Sequence, residues 1–221
     1  MPLSPVVFAI HCTDSHSTGE ASLGRWFTQT GRRSDIFLAT KFGAYDLSRL
    51  EDKRQPKGAP SGAGQQTQDF NLADLYNLGP NSKPSYIERQ IKNSLSALNT
   101  DYIDLYYQHR VDPEVPIEVV LETLRPYVES GKIRWLGLSE CSAATLKRAK
   151  AVKGIGEKVV VVQMEFSPFE LGIEKSGFVD VVNELGMAVV AYSPLSRGLV
   201  TGKYVLQTFS FKNLDTHWFF I

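Results

Sequence analysis

The sequence predicts an α/β protein with the architecture of a TIM barrel, in which parallel strands alternate with helices. Strand-like apolar runs alternate with helical stretches of about ten to fifteen residues, which is the rhythm of βαβ units and a parallel sheet. These runs end, one after another, in polar side chains: Lys41, His109, Ser139 with Glu140, Gln163 and Ser193. Every strand of a barrel ends at one mouth, whereas an open sheet has a single switch point, so this series favours a barrel.

The first helix and strand follow from local periodicity. Leu23, Trp26 and Phe27 recur at helical spacing and predict a helix over 20–30. A short apolar run over 35–40 then predicts a strand that leads to the first polar strand end.

The second helix is predicted to begin with a cap in residues 82–85 (Ser-Lys-Pro-Ser) and to end at Leu98. Ile87, Ile91 and Leu95 fall on one face with Leu98, which indicates a helix packed on the sheet.

The remaining elements alternate in the same way. Strands are predicted over 102–108, 133–138, 159–163 and 187–192, and helices over 117–129, 143–152 and about 175–185. Ser130 and Gly131 form a C-cap signal that ends the helix before them.

Two stretches depart from this alternation. Residues 44–82 are rich in Gly, Pro, Gln and Asn, a linker composition that predicts a flexible insertion. Residues 205–221 have neither a helical nor a strand period and are predicted to be a tail outside the fold. Residues 1–221 are otherwise expected to form one domain, because a chain of this length can bury one sizeable core.

The composition excludes several classes of function. The 24 basic and 24 acidic residues are interspersed and cancel to a formal net charge of zero, so no surface for nucleic acid or anionic lipid is predicted. Cys12 and Cys141 lack the spacing of a redox motif or a zinc site, so no metal is expected and a reduced, cytoplasmic location is the default. The apolar residues 1–10 lack a basic flank and are too short to span a bilayer.

Two common nucleotide-binding loops are missing from the sequence. No GxGxxG follows the first predicted strand, and no GxxxxGK[ST] occurs. A nucleotide cofactor would therefore be held without a Rossmann loop or a P-loop.

Lys41 and His109 are the candidate catalytic residues because each ends a strand-like run. At the carboxyl ends of barrel strands, a lysine and a histidine suit a proton-donating and pKa-tuning pair. The alternative for either residue alone is a surface lysine or a hydrogen-bonded histidine at a strand end.

Five motifs, taken in order, resemble the aldo-keto reductase superfamily, nearest to its microbial and fungal branches, which include pyridoxal reductases. They occupy residues 35–43, 101–112, 131–140, 163–169 and 191–203, and read DIFLATKFG, DYIDLYYQHRVD, GKIRWLGLSE, QMEFSPF and AYSPLSRGLVTGK. The resemblance implies an incomplete TIM barrel with about strands three to seven of eight, and a remnant of the second. It also implies hydride transfer from NADPH to a small aldehyde or ketone.

The resemblance implies roles for individual residues. Lys41 matches the lysine that lowers the pKa of the family's tyrosine acid, and His109 matches the histidine that orients the carbonyl. Ser139 and Gln163 match the residues that hydrogen-bond the nicotinamide carboxamide. Glu140 is a further cofactor position, at which the family usually has Asn. Phe166 matches the aromatic that stacks on the nicotinamide. The loop that wraps the pyrophosphate is matched by Ser193, Leu195, Ser196 and Gly198.

Three of these positions have plainer interpretations when taken alone. Ser139 also fits a helix N-cap, Gln163 a polar residue at a strand end, and Phe166 a core residue.

The sequence departs from the family at the proton donor. Aligning residues 20–24 with the family motif puts His16 at the tyrosine position and His11 at the aspartate position, with Asp14 out of register. His16 is a candidate replacement, since imidazole is a competent acid near neutral pH, and Tyr45 is another. Counterparts of the first and last family strands and of the adenosine 2′-phosphate site are not found, so truncation at both ends is expected.

Three functions are consistent with these observations. The first is an NADPH-dependent reductase of aldehydes, ketones or pyridoxal-like substrates in fungal secondary or vitamin metabolism. The others are a catalytically inactive truncated or mis-spliced remnant, and a non-enzymatic, reductase-like binding subunit. An open barrel is also expected to self-associate through its unpaired edges.

Overall fold

A computed structural model of the chain describes residues 6–9, 18–44 and 79–201. His11, His16 and Tyr45, most of the predicted insertion and the predicted tail lie outside the described residues.

Within the described residues, six strands form one parallel sheet. They are β1 (Val6–Ala9), β2 (Ile36–Phe42), β3 (Ile103–Gln108), β4 (Ile133–Ser139), β5 (Val159–Glu165) and β6 (Ala188–Tyr192). Each strand pairs in parallel with the next one along the chain, so the spatial order is the sequence order. An order without reversal belongs to a barrel wall and not to a doubly wound sheet. The predicted incomplete TIM barrel is confirmed as a curled half-barrel.

Helices connect the strands on the outer face of the sheet. They are α1 (Thr18–Thr30), α2 (Pro84–Ala97), α3 (Ile117–Glu129), α4 (Ala143–Ala151), α5 (Gly172–Lys175) and α6 (Phe178–Glu184), with 3₁₀ turns at Arg33–Asp35, Gly156–Lys158 and Ser196–Thr201. The predicted apolar face of α2 is confirmed, since Ile87, Ile91 and Leu98 are fully buried in the core. Gly131 follows α3 with φ of +75°, as the C-cap signal indicated.

The two faces of the sheet bury different side chains because residues alternate along a strand. The main core lies between sheet and helices and includes Leu38 and Tyr106. A smaller cluster on the inner face consists of Ala39, Leu105, Tyr107 and Val161. On the same face, Trp135 (the partner of Leu105) and Val190 (the partner of Gln163) are 38% and 36% exposed, as expected for a barrel wall that is open on one side.

A buried carboxylate fastens the amino-terminal ends of β2, β3 and β4. Asp104 Oδ2 accepts hydrogen bonds from the Leu38 backbone N–H (2.9 Å) and from Arg33 Nη2 (2.8 Å). Its other oxygen, Oδ1, accepts from Arg134 Nη1 at 2.8 Å. The Tyr102 ring lies against both guanidinium groups, at 3.9 Å from Arg33 and 4.1 Å from Arg134. The amino-terminal end of the sheet is therefore structural, and the candidate functional residues lie at the carboxyl ends of the strands.

Three local predictions were wrong. The helix expected over about 175–185 is divided into α5 and α6, because Gly177 adopts a left-handed φ of +74° between them. The cap predicted in residues 82–85 is not formed by a side chain, since α2 begins with Lys83 as its N-cap and no side-chain hydrogen bond. The N-cap interpretation of Ser139 fails because Ser142 caps α4, accepting from the Thr145 N–H at 3.1 Å.

Candidate active site

Lys41 lies on the inner face near the carboxyl end of β2. It is 3% exposed and stands opposite Tyr107 in the β2–β3 register. Its Nζ lies 5.7 Å from the centre of the Tyr107 ring, within cation–π range. Gly137 makes room for that ring, because a Cβ at this position would lie 2.5 Å from two Tyr107 ring carbons. The surface interpretation of Lys41 is therefore wrong: this lysine is buried in the barrel wall.

Tyr107 supplies a neutral wall for this lysine. The side chain is 2% exposed, and burial raises the pKa of its phenol to about 12. Tyr107 therefore keeps its proton at neutral pH, so the ring that faces Lys41 is uncharged.

His109 directly follows β3 and is held at the edge of the sheet by its backbone. Its N–H donates to the Phe42 carbonyl oxygen at 2.7 Å, which joins the ends of β2 and β3. His109 lies two residues after Tyr107, so both belong to the same face of the strand. The structure therefore brings Lys41 and His109 to one face and one edge of the sheet.

Ser139 and Gln163 extend the same edge on the next two strands. They are direct partners in the β4–β5 register, and are 1% and 4% exposed. Because Gln108 pairs with Leu138, His109 lies one position further on, level with Ser139. His109, Ser139 and Gln163 thus form one row across β3, β4 and β5, which spans roughly 10 Å at the usual strand spacing.

Gln163 carries a buried hydrogen-bond acceptor that no described residue satisfies. Its Oε1 is buried and has no hydrogen-bond partner among the described residues. A buried acceptor of this kind is costly unless a donor reaches it. The amide group of a ligand in the mouth would be such a donor.

Glu140 follows β4 in a strained conformation that two contacts stabilise. Its φ of +51° is left-handed, which a residue with a long side chain rarely adopts. Its Oε1 accepts from the Glu165 N–H at 2.9 Å, and its carboxylate lies near the Tyr192 hydroxyl, where it adds to the rise that burial causes in the pKa of that group. Arg110 also lies near this hydroxyl and acts in the opposite direction, lowering its pKa. Because Arg110 follows β3 and Tyr192 ends β6, this contact spans the curled sheet.

Tyr192 and Arg110 are the site residues that the sequence interpretation missed. Burial, followed by the hydrogen bond to Glu140, raises the pKa of Tyr192 to about 12. The available signal was position: Tyr192 directly precedes Ser193, and Arg110 directly follows His109.

The residues after β6 form a loop with an unusual backbone. Ser193, Ser196 and Arg197 have φ of +52°, +47° and +52°, and Gly198 has +89°. Ser196 is buried, whereas Leu195 is 62% exposed. The Ser196 and Gly198 N–H groups donate to the Ser193 and Leu195 carbonyl oxygens, so these bonds close tight turns within the loop.

Phe166 lies apart from the row on the inner face. It is half-buried and packs against the main core on the helix side of the sheet, as does Met164. The structure therefore brings the lysine, histidine, serine and glutamine together but places Phe166 on the opposite side of the strand.

A cavity of about 290 Å³ lies beside this edge, lined in part by Glu140, Glu165 and Glu170. Three carboxylates make it unsuited to phosphate. Among the described residues, no group of three or more His, Cys, Asp or Glu is arranged to hold a metal ion, and no helix is long and apolar enough to cross a membrane.

Comparison with known proteins gives a consistent result. The model of the aldo/keto reductase family matches residues 11–218. The chain is 40% identical over 191 residues to aldo-keto reductase str7 of Strobilurus tenacellus, covering 86% of this chain and 46% of the relative. It is 43% identical over 187 residues to aldo-keto reductase yakc [NADP(+)] of Schizosaccharomyces pombe, covering 84% of this chain and 46% of the relative. The chain thus spans about half the length of the curated relatives it matches.

Solved structures share the fold. Aldo-keto reductase AKR11C1 of Bacillus halodurans, in its holo form, is 27% identical with a TM-score of 0.59, covering 81% of this chain and 49% of that one. An aldo/keto reductase of Klebsiella pneumoniae, solved with NADP and acetate, has a TM-score of 0.64 at 21% identity, covering 91% of this chain and 58% of that one.

Proposed function

The chain belongs to the aldo/keto reductase family, and we propose that it acts as an NADPH-dependent reductase of small aldehydes and ketones. The observation that supports this most is the row formed by His109, Ser139 and Gln163 on the inner face, with buried Lys41 beside it. At the carboxyl edge of a barrel wall, such a row faces the mouth in which substrates bind.

The residues present fit a nicotinamide cofactor. Gln163 Oε1 is a buried acceptor that lacks a donor among the described residues, and the NH₂ group of a carboxamide would supply one. Ser139, its direct strand partner, offers a hydroxyl beside it. Ser193, Leu195, Ser196 and Gly198 belong to the loop after β6 that is proposed to receive the pyrophosphate, and three of them have positive φ. NADPH, when bound, supplies the hydride.

Two residues are proposed to serve the carbonyl group. His109 would donate a hydrogen bond to the carbonyl oxygen, orienting it and stabilising the negative charge that develops there. Lys41 would favour the ionised form of a nearby acid through its positive charge. Tyr107 does not provide that acid, because burial keeps its pKa at about 12. His16 and Tyr45, the two candidate replacements for the family's tyrosine acid, lie outside the described residues.

The aromatic platform is proposed for two positions. Phe166 holds the position that the family resemblance indicated, and it packs on the core side of β5. Tyr192 lies at the same edge and shares the face of Gln163, because Gln163 pairs with Val190 two residues before it. Replacing each by Leu and titrating NADPH distinguishes them, since loss of the stacking residue weakens binding.

The alternative is a reductase-like protein that binds without turnover, as a binding subunit or an inactive remnant. One observation favours it: His16 occupies the position at which the family has its tyrosine acid. Such a protein would bind NADPH through the same residues and reduce nothing.

The experiment is an assay of NADPH oxidation with a panel of aldehydes that includes pyridoxal, using the wild type, Lys41→Met and His109→Gln. Ser130→Ala is the control, because Ser130 lies exposed at the end of α3 and contacts the Tyr127 carbonyl oxygen. Loss of an acid or base typically lowers the rate by roughly 10²–10⁴-fold, so both site variants should lose turnover while the control keeps it. Equal turnover in Lys41→Met and wild type would contradict the proposed role. NADPH binding without turnover in the wild type would support the alternative.

The setting of the protein is also proposed. We infer a cytoplasmic role in fungal secondary or vitamin metabolism from the fungal relatives and from the wide spacing of the two cysteines in the sequence. Within the described residues, β1 and β6 are sheet edges with one partner strand each, which supports self-association through them. Sedimentation at several protein concentrations would test it, because a chain that stays monomeric does not use these edges.

A further inference from the structure

The loop after β6 has little apolar attachment to the rest of the protein. Leu195, Leu199 and Val200 are 62%, 51% and 38% exposed. Among the described side chains of residues 193–200, the buried one is Ser196, which is 8% exposed. The loop is therefore held in place through a polar side chain instead of an apolar anchor.

The backbone of this loop needs such an attachment. Ser193, Ser196 and Arg197 all have positive φ without being glycine. Conformations of this kind persist where the surroundings hold them. The bonds from Ser196 N–H to the Ser193 carbonyl (2.8 Å) and from Gly198 N–H to the Leu195 carbonyl (2.9 Å) lie within the loop, so they shape it without fixing its place.

The attachment is a hydrogen bond between two serine hydroxyls. Ser196 Oγ donates to Ser167 Oγ at 2.6 Å, and both residues are buried. Ser167 Oγ also accepts from the N–H groups of Phe169 (3.2 Å) and Glu170 (3.1 Å). These two bonds hold the Ser167 hydroxyl within its own turn.

Ser167 is itself fixed on the sheet side. It follows β5 in a short turn closed by two backbone bonds between Ser167 and Glu170, each 3.1 Å. At the start of the turn, the Phe166 N–H donates to the Tyr192 carbonyl oxygen at 3.3 Å, which joins the ends of β5 and β6. Ser167 is thus a rigid point against which the loop can be held.

We propose that Ser167 is a positioning residue for the cofactor: through Ser196, it holds residues 193–198 in the conformation that receives the pyrophosphate. The inference rests on the proposed function, since the loop has this role if the protein binds NADPH. Ser167 acts on the ligand through Ser196. Removing the Ser167 hydroxyl changes the position of the loop but leaves the loop's own polar groups unchanged.

The test is a double-mutant cycle on NADPH affinity, measured by fluorescence titration of the purified chain. Ser167→Ala should raise the NADPH Kd roughly three- to ten-fold, the effect of one lost hydrogen bond. In the Ser196→Ala background, the same change should add little, because the two hydroxyls act as one unit. Ser130→Ala, which removes an exposed hydroxyl far from the loop in sequence, should leave the Kd unchanged.

A second measurement separates positioning from a merely structural role. Hydrogen exchange at the Ser196 and Gly198 amides should quicken in Ser167→Ala, while the amides of α3 stay protected. Ser196→Ala leaves the Ser167 turn intact, so it remains informative if Ser167→Ala does not fold.

Each outcome decides one point. If the wild type binds NADPH, either of two results would overturn the positioning role and leave the proposed function standing. One is an unchanged Kd in Ser167→Ala. The other is a double variant whose rise in Kd equals the product of the two single rises. A wild type that binds no NADPH would overturn the proposed function and this inference with it.

Discussion

Replacing Gln163 by Leu is expected to stabilise the protein without ligand while weakening NADPH binding. Gln163 is 4% exposed, and its Oε1 has no partner among the described residues. A buried acceptor left unsatisfied costs about 1–3 kcal/mol, and an apolar side chain of similar shape removes that cost. Taking the lower limit, the free energy of unfolding should rise by about 1 kcal/mol, or about 2–4 °C in Tm for a chain of this size.

The same change removes the acceptor proposed for the nicotinamide carboxamide. Loss of one hydrogen bond of about 1.4 kcal/mol corresponds to roughly a ten-fold higher Kd for NADPH. Urea denaturation without ligand and fluorescence titration with NADPH measure the two effects separately.

Gln108→Leu is the matched control. Gln108 ends β3, is 2% exposed, and also has a buried Oε1 without a partner among the described residues. Its Nε2, however, donates to Ser82 Oγ at 2.8 Å, and it pairs with Phe42 of the main core, away from the inner face. The control should therefore gain no stability and keep the wild-type Kd. A Gln163→Leu variant that loses stability, or that binds NADPH as the wild type does, would refute the reasoning.

Three further changes test the framework around the site. Asp104→Ala should lower the free energy of unfolding by about 3–5 kcal/mol in urea, because it leaves the part-buried Arg33 without its carboxylate partner and the Leu38 N–H without its acceptor. Glu118→Gln removes an exposed ion pair and should change the free energy of unfolding far less. The pKa values of Tyr107 and Tyr192 are raised from 10.0 to about 12; the unfolded chain releases these protons first, so stability should fall between about pH 10 and 12, less steeply in Tyr192→Phe. Gly137→Ala puts a methyl group 2.5 Å from the Tyr107 ring and should cost about 1–3 kcal/mol in denaturation; a neutral result would mean that the ring moves freely beside Lys41.

Much of the fold could be predicted because its signals are local. Period and strand-end polarity located β2 to β6 and most of the helices, with ends within about two residues of those observed, which is the usual uncertainty of such boundaries. The break between α5 and α6 escaped because Gly177 within an apolar helical pattern does not reveal its left-handed φ. The use of Ser82 could not be predicted for another reason: its partners are Gln108 at the end of β3 and Asp112 in the loop after it, both more than twenty residues away, and they compete with its use as a cap.

The site could be predicted in part. Lys41, His109, Ser139 and Gln163 were identifiable because each stands at or near a strand end, and their alignment then follows from register. The contact among Glu140, Tyr192 and Arg110 could not be predicted, because it depends on how far the sheet curls between β3 and β6. The side of the strand on which Phe166 lies also depends on register and not on residue type.

Binding of NADPH at the carboxyl edge of the sheet is the step on which every proposed role depends. A thermal melt of the purified chain with and without NADPH measures it, because a ligand that binds the folded state alone raises the midpoint. At one hundred times the Kd, the gain is about 2.7 kcal/mol, which for a chain of this size corresponds to roughly 5–10 °C. A cooperative transition that rises by this amount, and rises less in Gln163→Leu, is the predicted result. A transition at the same temperature with and without NADPH would contradict the proposed site.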